Sequence, residues 1–335
     1  VGLLFIGEFK KLAFIKNLPF DATLLMLIVT ALASIPLLRH WRQILEHSAW
    51  VSLAIFAAFI VWICLSFVWS PGHGYALKKM SLMVGLCLPL YVWSVFIISA
   101  PQRFYRFVKV VFVFSLLFSL LAFSGFYYKH DMNVYGYYDR IRLFGDDPIG
   151  VSRIAALGLM LSGYFLLFVA AKRRSKIIYS LTGLFFGYTT FILDERGPLL
   201  AAFVVLAIQW SFYFGRRKGL IRFAPLLILC ALFIAMLALH GRGWADIAFR
   251  LHLYLGALHL FAHYTWLGGG VGSFPEYVHS VPSANYPHNV ILEVAAELGL
   301  VGLILFGAVI IRPLYVLCKK YQHMEKPVLV ILLSL

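Results

Sequence analysis

SANYPHNVILEVAAELGLVGLI, residues 283–304, places a proline, a histidine and an asparagine directly before a long apolar run. The run continues to about residue 311, and roughly 20 apolar residues are enough to cross a bilayer as a helix. Pro287 biases Tyr286 to an extended conformation and stops a helix from running back through it. Asn289 is a good N-cap, so the helix is expected to start at Val290 with His288 just outside its positive end. A positive end disfavours imidazolium, so the expectation is a neutral histidine able to accept a proton. Asn289, Glu293 and Glu297 recur every four residues and form one polar stripe on the span. Ionisable groups inside a span are costly and face a cavity or a partner; Arg196 and Arg250 are the candidate partners. A plainer reading stays open beside this one, a helix cap followed by two glutamates near the headgroups.

The rest of the chain has the same character. Of its 335 residues, 62% are hydrophobic and 13% charged, whereas a soluble domain has about a quarter of its residues charged. This excludes a soluble enzyme and predicts an all-α polytopic membrane protein. Apolar runs at 20–38, 49–69, 80–99, 107–127, 150–171, 177–193, 198–214, 223–240 and 290–311 each read as a span, and 327–335 starts another. About ten transmembrane helices are therefore expected. Residues 1–18 read as the tail of an earlier span, and the chain reads as trimmed at both ends, with no signal-peptide pattern. Cys64, Cys87, Cys230 and Cys318 have no metal-ligand or disulfide spacing and read as packing residues.

The net charge of +15 would suggest nucleic acid in a soluble protein, but here it sorts by loop. The loops 39–48, 100–109, 172–176, 215–222 and 312–326 hold seventeen Lys/Arg against only Glu46 and Glu325, and the positive-inside rule makes them cytoplasmic. The remaining loops, nearly balanced in charge, then lie outside, and His288 with them. Two of these are long, 128–149 and 241–289. Connections of such length are usually functional or disordered, and the aromatics Trp244, Trp266, Phe274, Tyr277 and Tyr286 argue for order. The expected organisation is a helical bundle over 1–240, an outer-face loop domain with surface helices over 241–289, and further spans over 290–335.

Several residues on that outer face could carry chemistry. In LDERGPLL (193–200), Arg196 stands at a helix N-terminus with Pro198 in its first turn, a place where phosphate binds well; equally, Asp194 or Glu195 could neutralise it. Arg250 opens FRLHLYLGALHLFAHYTWLGGGVGSF (249–274), which reads as a surface helix ending in a glycine turn. His252, His259 and His263 share that helix, but no HExxH pattern or acid completes a metal site. YYKHDMNVYGYYDRIRLFGDDPIG (127–150) offers Arg142, and Asp146/Asp147 as a turn or a cation site. Lys78 and Lys79, read as lying in a loop, are candidates for lipid phosphate or a diphosphate. Together these residues favour an activated, lipid-linked donor: arginines hold a diphosphate leaving group and a histidine activates an acceptor hydroxyl.

Three stretches, RGPLL (196–200), Arg250 to GGGVGSF, and YPHNVILEVAAELGLVG (286–302), resemble the O-antigen ligase/polymerase superfamily of bacterial inner-membrane glycosyltransferases. Tyr254 departs from the tryptophan usual there. The resemblance covers the second half of the chain. It implies a GT-C-like bundle of about twelve spans in the full protein, in the Gram-negative inner membrane with its active site in the periplasm, so that 241–289 would be a periplasmic loop domain. It implies an O-antigen ligase that transfers glycan from undecaprenyl diphosphate to the lipid A–core sugar of lipopolysaccharide. No cofactor or metal is implied, the transfer would be inverting, and the protein would function as a monomer among membrane lipids without nucleic acid. His288 would be the catalytic base and Arg196 and Arg250 the diphosphate ligands, with Arg142, Lys78 and Lys79 as weaker matches and Tyr286, Asn289, Glu293 and Glu297 in support. Alternatives are an O-antigen polymerase or protein O-oligosaccharyltransferase and, in another class, a polysaccharide or lipid-linked glycan transporter. Transporters commonly show internal repeats, and none is visible here.

Overall fold

A computed structural model describes residues 21–38, 47–98, 101–123, 127–129, 141–143, 149–193, 196–214, 244–278 and 285–320. In chain order the helices are α1 (Ala22–Leu38), α2 (His47–Ser66), α3 (His73–Leu82), α4 (Leu88–Ile98), α5 (Pro101–Phe123), α6 (Ile149–Tyr164), α7 (Arg173–Ile192), α8 (Arg196–Phe214), α9 (Trp244–His263), α10 (Phe274–Tyr277) and α11 (Val290–Lys320). Among the described residues six stretches are long and apolar enough to cross a membrane: Trp50–Trp69, His73–Val95, Gln102–Leu121, Ile149–Val169, Gly197–Phe214 and Val290–Val316. Length and composition thus make this a helical membrane protein. The expected spans at 223–240 and 327–335, and the segment 1–18, lie outside the described residues.

Two differences from the sequence reading have clear physical reasons. Lys78 and Lys79 are not in a loop. They lie within α3, which a π-helical turn at Met83–Cys87 joins to α4 as one apolar stretch from His73 to Val95. The lysines shorten the apolar run in the sequence, but nothing in HGYALKKMSL breaks a helix, since both lysines are good helix formers. The second difference is a short antiparallel pair, β1 (Tyr127–Lys129) and β2 (Ile141–Leu143), inside the tyrosine-rich segment read as a loop. Its register sets Tyr128 opposite Arg142, and β-branched and aromatic residues favour this pairing. The fold is otherwise helical among the described residues. Asp146 and Asp147 lie outside them.

The helices sort into two compact units. One contains α1, α5, the strand pair and α6 to α8. Its centre is α6, whose Ala155, Ala156 and Leu159 pack with Phe186 of α7 and Ala202 of α8. A small residue permits this approach: a Cβ on Gly158 would lie 2.5 Å from the Phe186 ring. Gln209 of α8 donates to the carbonyl of Met160 at 3.0 Å, so a polar group inside the bundle is answered by backbone.

The other unit contains α2 to α4 and α9 to α11. The grouping in space thus cuts across the sequence blocks 1–240, 241–289 and 290–335: residues from near the start of the chain close around the segment that begins at Trp244. Phe56, Phe59, Ile60 and Ile63 of α2 form one core with Ala76, Val271, Val294 and Leu298. Leu253, Ala257 and Leu260 of α9 form a second with Phe274, Val278 and Ala296. The spacing 253, 257, 260 is one helical face, and through it α9 packs on α10 and α11; Leu251, Leu255 and Leu258 on the opposite face are apolar and exposed.

Candidate functional site

The site is built where α11 breaks. Gly299 has φ 66° and ψ −163° inside this helix, a region open essentially only to glycine. A break leaves helix carbonyls and amides without their usual partners, which is costly in a membrane. The glycine turn after α9 supplies replacements. Gly269 donates to Ala296 O at 3.0 Å and Gly270 to Glu297 O at 2.9 Å. In return, Leu300 N–H donates to Thr265 O at 2.8 Å and Val301 N–H to Trp266 O at 3.3 Å. Trp62 of α2 satisfies the next carbonyl, donating from Nε1 to Leu298 O at 3.0 Å. Gly268, Gly270 and Gly272 all have positive φ, and a Cβ on Gly270 would come within 2.6 Å of the Ser70 backbone. The run is a turn, as its sequence indicates. Its detailed work, splicing into the broken ladder of α11, has no mark in the sequence.

Two residues before the break, Glu297 is almost fully enclosed, with its side chain 3% exposed. Its Oε2 accepts from Lys79 Nζ at 2.7 Å and from the Gly272 amide at 2.8 Å. Lys79 also forms an ion pair with Glu293 Oε1. One ammonium therefore lies between two carboxylates from successive turns of α11. Among the described side chains the glutamate stripe is paired with Lys79, whose neighbour on α3, Ala76, packs in one core with Val294 and Leu298 of α11; the side chain of Arg196, one of the two partners expected, lies outside the described residues. Lys79, expected as an anion ligand, has its charge taken up by these carboxylates. Lys78, the next residue, is exposed.

His288 stands just before the N-terminus of the same helix. Asn289 caps α11 as its sequence predicts: its Oδ1 accepts from Ile291 N–H at 3.0 Å and Leu292 N–H at 3.3 Å. The turn into that cap puts His288 at φ 54°, the one non-glycine residue with positive φ among those described. Left-handed backbone is costly for a side chain with a Cβ, and such strain concentrates at functional positions. The imidazole packs on Tyr286, with ring centroids 4.5 Å apart, and keeps an exposed side. Partial desolvation and the nearby positive charge of Arg250 lower its pKa below the usual 6.5, against an opposing pull from Glu293. The neutral base expected from the sequence is thus favoured by the surroundings. Arg250 lies exposed on α9, close enough to act on His288.

Arg196 and Arg142 belong to the other unit. Arg196 is the first residue of α8, where the sequence places it, and Arg142 lies in β2; their side chains, and Asp194 and Glu195, lie outside the described residues. Beside α9, His252, His259 and His263 line an open groove of about 520 Å³ with Tyr264 and Tyr277. Tyr277 donates its hydroxyl to Tyr264 at 3.1 Å, and this bond raises the Tyr277 pKa. Among the described residues no group of three or more His, Cys, Asp or Glu could hold a metal ion.

Fold and site together define a helical membrane protein with a strained, neutral-leaning histidine at the mouth of a span and an ion triad inside it. Compared with known proteins, the chain matches no family and no characterised sequence.

Proposed function

We propose that the protein is a lipid-linked glycan transferase of the O-antigen ligase kind, acting at the periplasmic face of a Gram-negative inner membrane through a GT-C-like bundle of about ten spans in this chain. Neutral His288 takes the proton from an acceptor hydroxyl on the lipid A–core sugar. The acceptor oxygen forms its bond to the anomeric carbon of the donor glycan as the bond to undecaprenyl diphosphate breaks. Direct displacement inverts that carbon, and the diphosphate leaves with the bonding pair. Arg250 stabilises the charge gathering on the leaving group, a role that guanidinium geometry suits.

The observation that carries this reading is His288 itself. It is held in a costly backbone conformation, capped into place by Asn289, with its neutral form favoured. A residue serving only as a helix cap has no need of that strain, since Asn289 already caps the helix. A general base works best when its neutral form is populated at the working pH.

The test uses a bacterium that makes O-antigen but lacks its ligase. Wild type and His288→Ala are expressed to equal membrane levels and lipopolysaccharide is resolved on a gel. Wild type restores the ladder, and His288→Ala abolishes it while lipid-linked polymer accumulates. Arg250→Ala lowers transfer and moves the acid limb of its pH profile upward, because removing the arginine removes one cause of the lowered His288 pKa. A full ladder from His288→Ala would sink the mechanism, and lengthened glycans still needing another ligase would favour a polymerase.

A further inference from the structure

Lys79 sits on α3, apart in sequence from everything the His288 chemistry uses, yet its ammonium meets both glutamates of α11. It pairs with Glu293, and with Glu297 Oε2 at 2.7 Å, and the same oxygen takes the Gly272 amide at 2.8 Å. The lysine therefore links three pieces: α3, the glycine turn, and the two turns of α11 that follow His288. The Glu297 carboxylate is buried and its Oε1 has no hydrogen-bond partner among the described residues. Without the lysine its charge would stand uncompensated, which is strongly destabilising.

We propose that Lys79 is a positioning residue for His288: by holding Glu293 and Glu297 it fixes the start of α11 against α3 and the glycine turn, and it draws the Glu293 carboxylate toward α3 and away from service to the imidazole. This rests on the glycosyltransferase reading only for its consequence in catalysis; the electrostatic part stands without it. Among the described residues, the charged and titratable groups around the cluster are Lys79 and Tyr75 from α3, Arg250 from α9, Glu276 from α10 beside the Gly272 turn, Glu293 and Glu297 from α11, and Tyr286 from the turn before it. Tyr75 is in electrostatic reach of Lys79, Glu297, Glu293 and Tyr286, and the Lys79 ammonium lies 5.8 Å from its ring centre. Of these groups, Arg250 and Glu293 are the two that act on His288, in opposite senses. Removing the lysine charge leaves Glu293 free to favour imidazolium.

The experiment needs no substrate. The full chain, purified in detergent, is treated with diethyl pyrocarbonate across a pH series, and modification of the His288 peptide is followed by mass spectrometry. Only neutral imidazole reacts, so the rate gives the His288 titration midpoint directly. Lys79→Met is expected to raise that midpoint by about half a unit, roughly a threefold slower reaction below it. Lys79→Met combined with Glu293→Gln should bring it back to the wild-type value or below. Where Lys79→Met alone does not fold, Lys79→Met with Glu297→Gln removes the buried charge, keeps Glu293, and should show the same rise. An unmoved midpoint in the folded variant overturns the proposal, as does a rise that Glu293→Gln fails to reverse, since loosened packing would then explain it. In the complementation assay, Lys79→Met should shift the acid limb of transfer by the same amount. If wild type transfers no glycan while the His288 midpoint still moves, the enzymatic reading fails and the positioning role of Lys79 stands.

Discussion

Gly299→Ala is the substitution that most directly tests the broken helix. The glycine has φ 66° and ψ −163°, and a Cβ there would collide with Trp266 O and lie only 2.5 Å from Gly268 N. Holding alanine in that backbone region costs about 1–3 kcal/mol. Relaxing the strain instead moves the chain toward regular helix and pulls apart the four exchanged backbone bonds, which run from Gly269, Gly270, Leu300 and Val301. Each is worth about 1 kcal/mol net, and more where no water can replace it. Four such bonds come to about 4 kcal/mol, so the strained route is the cheaper one and, with the Trp266 contact added, costs about 3 kcal/mol. At about 2 °C per kcal/mol, the apparent Tm of the detergent-purified protein should fall by about 6 °C. Gly307→Ala is the matched control, because it lies on the same helix and a Cβ there meets nothing within 4 Å. Alanine should leave that site unchanged or slightly more stable, since glycine inside a helix costs about 1 kcal/mol relative to alanine. Equal Tm values for the two variants would refute the exchange of backbone bonds between the glycine turn and α11.

Two further outcomes concern the helix entrance. Asn289→Ala removes the acceptor for Ile291 and Leu292 and should cost about 1 kcal/mol, read as a Tm drop that Asn289→Ser largely restores. His288→Gly should be more stable than His288→Ala by about 1 kcal/mol in the same thermal assay, because only glycine takes φ 54° without penalty; both should be inactive in transfer. Equal stability of these two variants would mean that the left-handed backbone stores no strain.

The entrance to α11 was legible because its signals are local. Proline, histidine and asparagine in sequence fix where the helix starts and which residue stands outside it, and the cap bonds agree. That residues 249–263 are helical was legible for a similar reason, since apolar residues recur at helical spacing through Leu253, Ala257 and Leu260. The partner of Glu293 and Glu297 was not. Lys79 is 218 positions from Glu297, and no local pattern distinguishes it from Lys78, which is exposed. The lysines were read as loop because they interrupt apolar sequence, whereas one of them is neutralised inside the fold, where it no longer opposes burial. Gly299 was equally silent. It sits in an unbroken apolar helical pattern, and its conformation is set by a turn some thirty residues earlier in the chain.

That distant dependence sets an order on how the protein can be made. The glycine turn leaves the ribosome before α11 does, and its amides at Gly269 and Gly270 bond to carbonyls not yet synthesised. Until α11 has entered the membrane, those amides must stay in water or among headgroups, since hydrocarbon offers them nothing. The first helices of this unit, α2 and α3, must likewise wait, with Trp62, Ser70 and Lys79 holding bonds open for the later segments. Insertion of α11 is thus the step that closes the unit. A ribosome stalled short of residue 299 would leave a chain whose early helices are inserted and whose site cannot form.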